Sequence, residues 1–255
     1  MANILLLSPM PIAVLAATRG SGVDNLLTHD PKEVWKDSAV GSAATISIDL
    51  GAPRSIDTIA LIAAYGAAAG ATWTISGGLA SNSEFVIHAG DLRPLGRAGL
   101  APDPCNPLWH GEPAMVRYLA IAVQQPAGAP QLAIGRVVLG AGFMPAWNKE
   151  WGAGRRIIDT GTSTSLPSGG FANVEGVRKG GYSWTQGDLS DVEVDQLYDL
   201  QRAHGETVPM LFVEDPDATA GQVFRIHYGQ FRSLKPFERR NPKQTRWEFT
   251  MEEWV

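Results

Sequence analysis

The segment Leu189–Gly205, LSDVEVDQLYDLQRAHG, carries start and stop signals of a helix that no other stretch of this 255-residue chain combines. Ser190 precedes Glu193 by three positions, the spacing of a capping box: the serine oxygen accepts from the Glu193 N–H and the glutamate reaches back. Leu189 and Val194 are placed as a hydrophobic staple. Asp191 adds negative charge to the first turn, where the helix dipole favours it. Val194, Leu197 and Tyr198 follow at i, i+3 and i+4, one apolar face. His204 and Gly205 close the helix, the glycine being free to adopt a left-handed conformation. The preceding residues alternate with period two, Tyr182 and Trp184 on one side and Ser183 and Thr185 on the other, as in a half-buried strand. With a single well-signalled helix, the remaining core has to be built from strands, and the expected fold is mainly β.

Composition agrees. Hydrophobic residues make up 44% of the chain and charged residues 18%, enough apolar material for a packed core. The 28 glycines and 17 prolines show no period and fit many turns between short strands. The net charge of −5 gives no reason to expect nucleic-acid binding. A lone cysteine, Cys105, excludes an intramolecular disulfide. It lies in a proline-studded loop, five residues before His110, without a recognised frame for a nucleophile. The apolar N-terminus lacks positive charge before Arg19 and is interrupted by Pro9 and Pro11, so a strand, a loop and a second short strand are expected rather than a signal peptide. No stretch is long and apolar enough to span a membrane.

Charge and tryptophan content divide the chain. Residues 1–145 carry 8 Lys+Arg and 10 Asp+Glu; residues 146–255 carry 13 and 16, and hold five of the eight tryptophans. A domain boundary is expected near Gly140–Ala146, giving domains 1–145 and 146–255. In the first, strands are expected at Thr45–Leu50, Ser55–Ala63, Ala71–Gly77, Phe85–His88, Met115–Val123 and Gln131–Leu139, with a turn at Gly51–Pro53. Short strands at this spacing predict a β-sandwich. In the second, strands are expected at Arg155–Thr160, Phe171–Thr185, Val208–Val213, Gln222–Phe231 and Thr245–Trp254, with an irregular loop at Thr162–Gly170. Together with the helix they make an α+β domain, one helix packed on an antiparallel sheet.

Two resemblances follow from ordered motifs. Asn25-Leu-Leu, Val34-Trp35, Ile46-Ser-Ile-Asp-Leu-Gly51, Ile56–Leu61, Val116-Arg-Tyr-Leu-Ala-Ile121 and Ile134-Gly-Arg-Val-Val-Leu-Gly140 resemble, as a spaced set over about residues 20–140, a discoidin-type, galactose-binding-like jelly roll. The disulfide common in secreted members is missing. Such domains often bind sugars or other surfaces through loops at one end. The resemblance therefore implies glycan or partner contact by the loops carrying Trp35, Tyr65, Trp109 and His110, an aromatic face with polar neighbours suiting a sugar.

The second resemblance covers roughly residues 146–255. Arg178, Tyr182 and Trp184 on one strand, the Leu189-Ser190-x-x-Glu193 helix entry, an apolar strand after the helix and the terminal Trp247-x-Phe249-x-Met251-Glu-Glu strand are similar to the tail-tube-like domain of bacteriophage distal tail proteins. That family also pairs a ring-forming domain with a peripheral β-sandwich, although here the sandwich comes first. The resemblance implies a virion structural protein, assembled in the host cytoplasm into the phage tail. It implies a ring, a hexamer or a trimer, joining the tail tube to the tail tip or baseplate, with the tube protein, the hub and the tape-measure protein as partners. Trp147, Trp151, Arg239, Arg240 and Trp254 are the candidate assembly contacts. The alternative reading is a carbohydrate-binding adhesion module for a host-surface glycan.

No enzyme is expected. HExxH, GxSxG, P-loop and Rossmann patterns are absent from the sequence, so no catalytic residue, cofactor or metal is assigned. Glu214, Asp215 and Asp217 form an acidic turn whose spacing lacks the ligand count of a calcium loop. Glu252 and Glu253 are adjacent on a strand, point to opposite faces and cannot converge on one substrate.

Overall fold

The computed structural model describes residues 3–96, 102–218, 220–241 and 244–255, with Arg240 described by its backbone alone. It is mainly β, with several antiparallel sheets and one α-helix. The chain divides into two compact units: Met1–Pro145 together with Met210–Tyr228, and Ala146–Pro209 together with Gly229–Val255. The first division falls between Pro145 and Ala146. The segment 210–228, expected in the second domain, groups with the first. Its apolar run Met210–Val213 is buried throughout and pairs antiparallel with the equally buried Leu5–Leu7, Leu5 opposite Val213.

The first unit is a β-sandwich built on one long strand, Ala43–Ile62. The expected turn at Gly51–Pro53 is instead an irregularity inside this strand: its pairing with Leu108–Gln124 breaks between Asp49 and Arg54, and Gly51 has φ 76°. Only glycine takes that backbone conformation without strain. The bulge separates two different neighbourhoods. Before it, the strand pairs with Val14–Ala17; after it, with Arg136–Gly140. A bulged strand that changes partners makes the corner between two layers. Thr72–Gly78 and Phe85–Asp91 extend the sheet beyond Leu108–Gln124. The alternation read from sequence is visible in the core, where Ile46, Ile48 and Leu50 are buried with Ile56, Ile59, Trp73, Ile121 and Leu139.

The second unit is an antiparallel sheet carrying the helix. Gly154–Asp159 pairs with Arg178–Leu189, which pairs with Gln244–Glu253; the end of Ile226–Phe231 and the short strand Glu238–Asn241 also pair with Gln244–Glu253. Tyr182, Trp184, Trp247, Phe249, Met251 and Phe231 are buried, with Trp184 stacked on Phe249 at 5.2 Å between ring centroids. The helix spans Asp191–His204. Ser190 Oγ accepts from the Glu193 N–H at 3.4 Å, and Glu193 Oε2 accepts from the Ser190 N–H at 2.8 Å. Leu189 and Val194 are both buried, as a staple requires. Tyr198, expected on the apolar face, is 55% exposed; Val194 and Leu197 with Gln201 and His204 form the buried side. Ser190→Ala removes one cap and is expected to cost about 1 kcal/mol, read as a lower urea midpoint with an unchanged slope.

The expected strand Phe171–Thr185 is two elements. Thr162–Ser165 and Phe171–Val174 form a hairpin, and the sheet strand begins only at Arg178. At the base of the hairpin Gly161 and Gly176 approach so closely that neither leaves room for a Cβ.

Candidate functional site

The two units present different surfaces. In the first, the aromatic residues singled out for ligand contact are largely core. Trp35 has no exposed surface and donates its Nε1–H to the Arg19 carbonyl at 3.2 Å, so it offers no face to a sugar. Trp109 is 8% exposed and belongs to the hydrophobic core. Both fill the sandwich because their strands turn them inward, a direction that loop-based reasoning does not give. Tyr65 is half-buried, its backbone bridging to Ala133. Burial pushes its hydroxyl above the usual phenol range, and the charges of Asp103 and Asp30 add to this. An aromatic face with two carboxylates nearby is what remains of the proposed ligand-binding loops.

His110 is half-buried and meets Thr58 rather than solvent alone. Thr58 Oγ1 lies 2.7 Å from Asp57 Oδ1 and 3.0 Å from His110 Nδ1. The carboxylate only accepts, so the single threonine proton goes to Asp57 and the imidazole N–H donates to Thr58. A serine-protease-like relay runs the other way, with the hydroxyl proton passing to the ring. Asp57 also accepts from the Gly142 N–H at 2.8 Å. The cluster is thus a tie between strands, and its proton order does not activate Thr58.

A second polar network surrounds Arg136, which is 7% exposed. Arginine only donates, so Nη1 gives hydrogen bonds to His29 Nδ1 and to the Tyr228 hydroxyl. Tyr228 passes its own proton to the His29 carbonyl at 3.3 Å. Burial pushes the Tyr228 hydroxyl up to about 12, the neighbouring Arg136 opposing it, so it stays a donor. His29 is thereby held by both ring and backbone.

Cys105 is buried, and burial pushes its thiol up to about 11. A thiol that stays protonated is a poor nucleophile. In the acidic turn, Glu214 pairs with His227 at 3.0 Å and Asp215 with Arg225 at 3.5 Å. Among the described residues no group of three or more His, Cys, Asp or Glu side chains is placed to hold a metal.

The second unit is dominated by exposed apolar side chains. Among the described residues, twelve of the twenty large apolar side chains with high exposure lie in the second unit, against eight in the larger first unit. Trp147 is 67% and Trp151 104% exposed, on the segment leading into the edge strand Gly154–Asp159. Gln186 ties this segment down by donating to the Trp147 carbonyl. Every residue of the hairpin Thr162–Ser165 and Phe171–Val174 is exposed, Phe171 at 67% and Val174 at 70%. A two-stranded hairpin without a core is marginally stable in water. At its base, an open groove of about 600 Å³ is lined by polar groups including Asp159, Asn173, Glu175 and Arg178. Of the other candidate assembly contacts, Arg239 pairs with Asp191 at 2.8 Å, Trp254 is half-buried, and the Arg240 side chain lies outside the described residues.

No protein-family model matches the sequence, and no curated protein matches it. Solved structures similar to part of the chain include the CBM32 of AlyQ in complex with 4,5-unsaturated mannuronic acid, at 19% identity and a TM-score of 0.38, covering 52% of this chain and 97% of that one. Another is chitosan-binding module 2 of a chitosanase/glucanase from Paenibacillus sp. IK-5 in complex with chitotriose, at 14% identity and 0.39, covering 52% and 97%. A Ruminococcus gnavus GH29 fucosidase in complex with fucose gives 13% and 0.39, covering 51% of this chain and a quarter (25%) of the fucosidase.

Proposed function

We propose that this chain is a structural subunit that assembles with copies of itself into a closed ring through its second unit. Its setting is the tail of a bacteriophage, where such a ring joins the tail tube to the tail tip or baseplate. The observation that carries this reading is the exposed hairpin Thr162–Val174 together with the exposed apolar side chains Trp147, Trp151 and Ile157 of the same unit. Apolar side chains so concentrated on one small unit mark an interaction surface. Exposed tryptophans of this kind are favoured anchors at protein interfaces. The strand–helix motif that resembles distal tail proteins lies in the same unit. Assembly of this type needs no catalysis, cofactor or metal. Mass photometry of the full chain is expected to show species of several copies, growing with concentration; a monomer at every concentration contradicts the reading.

A second reading rests on a separate observation in the first unit. The half-exposed Tyr65 face beside Asp30 and Asp103 suits a host-surface glycan, the ring stacking on a sugar and the carboxylates accepting from its hydroxyls. A glycan array on the wild type and on Tyr65→Ala distinguishes this role, since Tyr65→Ala removes the stacking face and leaves the second unit untouched.

A further inference from the structure

The segment Ala146–Trp151 joins exposed aromatic side chains to a fixed backbone. Trp147 is 67% and Trp151 104% exposed. The backbone between them is tied to the sheet and the helix of the second unit. Glu193 Oε1 accepts from the Ala146 N–H at 2.6 Å. The Gln186 amide donates to the Trp147 carbonyl. The Glu150 N–H donates to the Thr185 carbonyl at 2.8 Å. Arg246 Nε donates to Glu150 Oε2 at 3.1 Å. Gly187 makes room for that carboxylate, since a Cβ there would stand 2.4 Å from Glu150 Oε1.

Gln186 is the tie whose presence needs a reason. It is 1% exposed, on the face of its strand that also buries Trp184, and it lies opposite the buried Trp247. An apolar side chain of the same length would suit that place. The amide instead leaves its Oε1 buried without a hydrogen-bond partner among the described residues. A buried polar atom left unsatisfied destabilises a fold. The hydrogen bond that the Gln186 side chain does make goes to Trp147. Folding alone gives no reason for a half-satisfied amide here, whereas holding Trp147 does.

We propose that Gln186, assisted by Glu150, is a positioning residue for the assembly surface: it fixes the backbone of Ala146–Trp151 so that Trp147 and Trp151 are ordered before a partner arrives. This rests on the assembly reading and names what prepares its surface. A tryptophan turns about two side-chain bonds only, so a fixed backbone leaves little freedom to lose on binding. Affinity rises by the ordering that binding no longer has to supply. Gln186 itself touches no partner, because it is buried under the segment it holds.

The full chain carrying Gln186→Met tests this. Methionine keeps the length and removes both polar atoms. The melting temperature is expected to stay level or rise, amide hydrogen exchange across residues 146–151 to quicken, and self-association in mass photometry to weaken about fivefold or more. Glu150→Ala, which releases the segment at its other end, is expected to act in the same direction. Added to Trp147→Ala with Trp151→Ala, Gln186→Met is expected to weaken association no further, since it acts through those two side chains. A melting temperature that falls by more than about 3 °C would make Gln186 a structural residue and overturn the proposal. Unchanged exchange or unchanged association in a variant of a wild type that assembles would also overturn it, and would leave the assembly reading standing. A wild type that never associates overturns both.

Discussion

Replacing the hairpin Thr162–Val174 by a short Gly-Ser link is expected to abolish self-association while moving the melting temperature by no more than about 3 °C. The two effects separate because the hairpin contributes nothing to either core. All eight of its strand residues are exposed, and they pair only with one another. Its removal uncovers no buried apolar surface, so the usual cost of about 25 cal/mol per Å² does not arise. In an assembly the same residues are the ones with most to bury, Phe171 and Val174 above all. Thermal melts and mass photometry on the same preparation read both quantities. A variant that melts much lower would place the hairpin in the folding core; one that still associates would remove it from the interface.

Asp37→Ala is expected to destabilise the first unit by about 3 kcal/mol, the scale found when one partner of a largely buried ion pair is removed. For a unit of this size that corresponds to about 10 °C. Asp37 is 3% exposed and receives Arg19 through two bonds, Nε to Oδ1 at 2.6 Å and Nη2 to Oδ2 at 2.9 Å. The Ala39 N–H adds a third at 3.2 Å. Burial alone raises the carboxyl, but the Arg19 hydrogen bonds, the backbone N–H groups and the guanidinium charge outweigh it and hold Asp37 below its ordinary 3.8. The sign follows from linkage. A carboxyl depressed in the folded state adds stability above its unfolded pKa and loses it as the pH falls through the folded one. The gap between wild type and Asp37→Ala is therefore widest at neutral pH and narrows below about pH 4. Urea midpoints at pH 7 and pH 3 measure it; a gap that stays constant would assign the loss to packing rather than charge.

Much of this fold was legible locally. The helix ends agree with its capping box, staple and terminal glycine because those signals act within one turn of the chain. Ile46, Ile48 and Leu50 alternate as written for the same reason. What escaped depended on distant partners. Gly51 reads as a turn until Arg136–Gly140 and Val14–Ala17 are seen to hold the two halves of one strand. Leu5–Leu7 claims Met210–Val213 across the whole sequence, a pairing that no local pattern announces. Trp35 and Trp109 looked like loop aromatics available to a ligand, yet both are buried, because burial depends on which way a strand turns. The hairpin was hidden by its polar composition, Thr-Ser-Thr-Ser, which reads as an irregular loop. Trp147 and Trp151, two aromatics four residues apart, are 67% and 104% exposed, which their spacing alone does not give.

Assembly through the second unit is tested most directly by sedimentation velocity of the unmodified chain from nanomolar to high micromolar concentration. The proposed ring predicts a boundary that moves from the 27.3 kDa monomer to a single larger closed species. A lone monomer boundary across the whole range would contradict it.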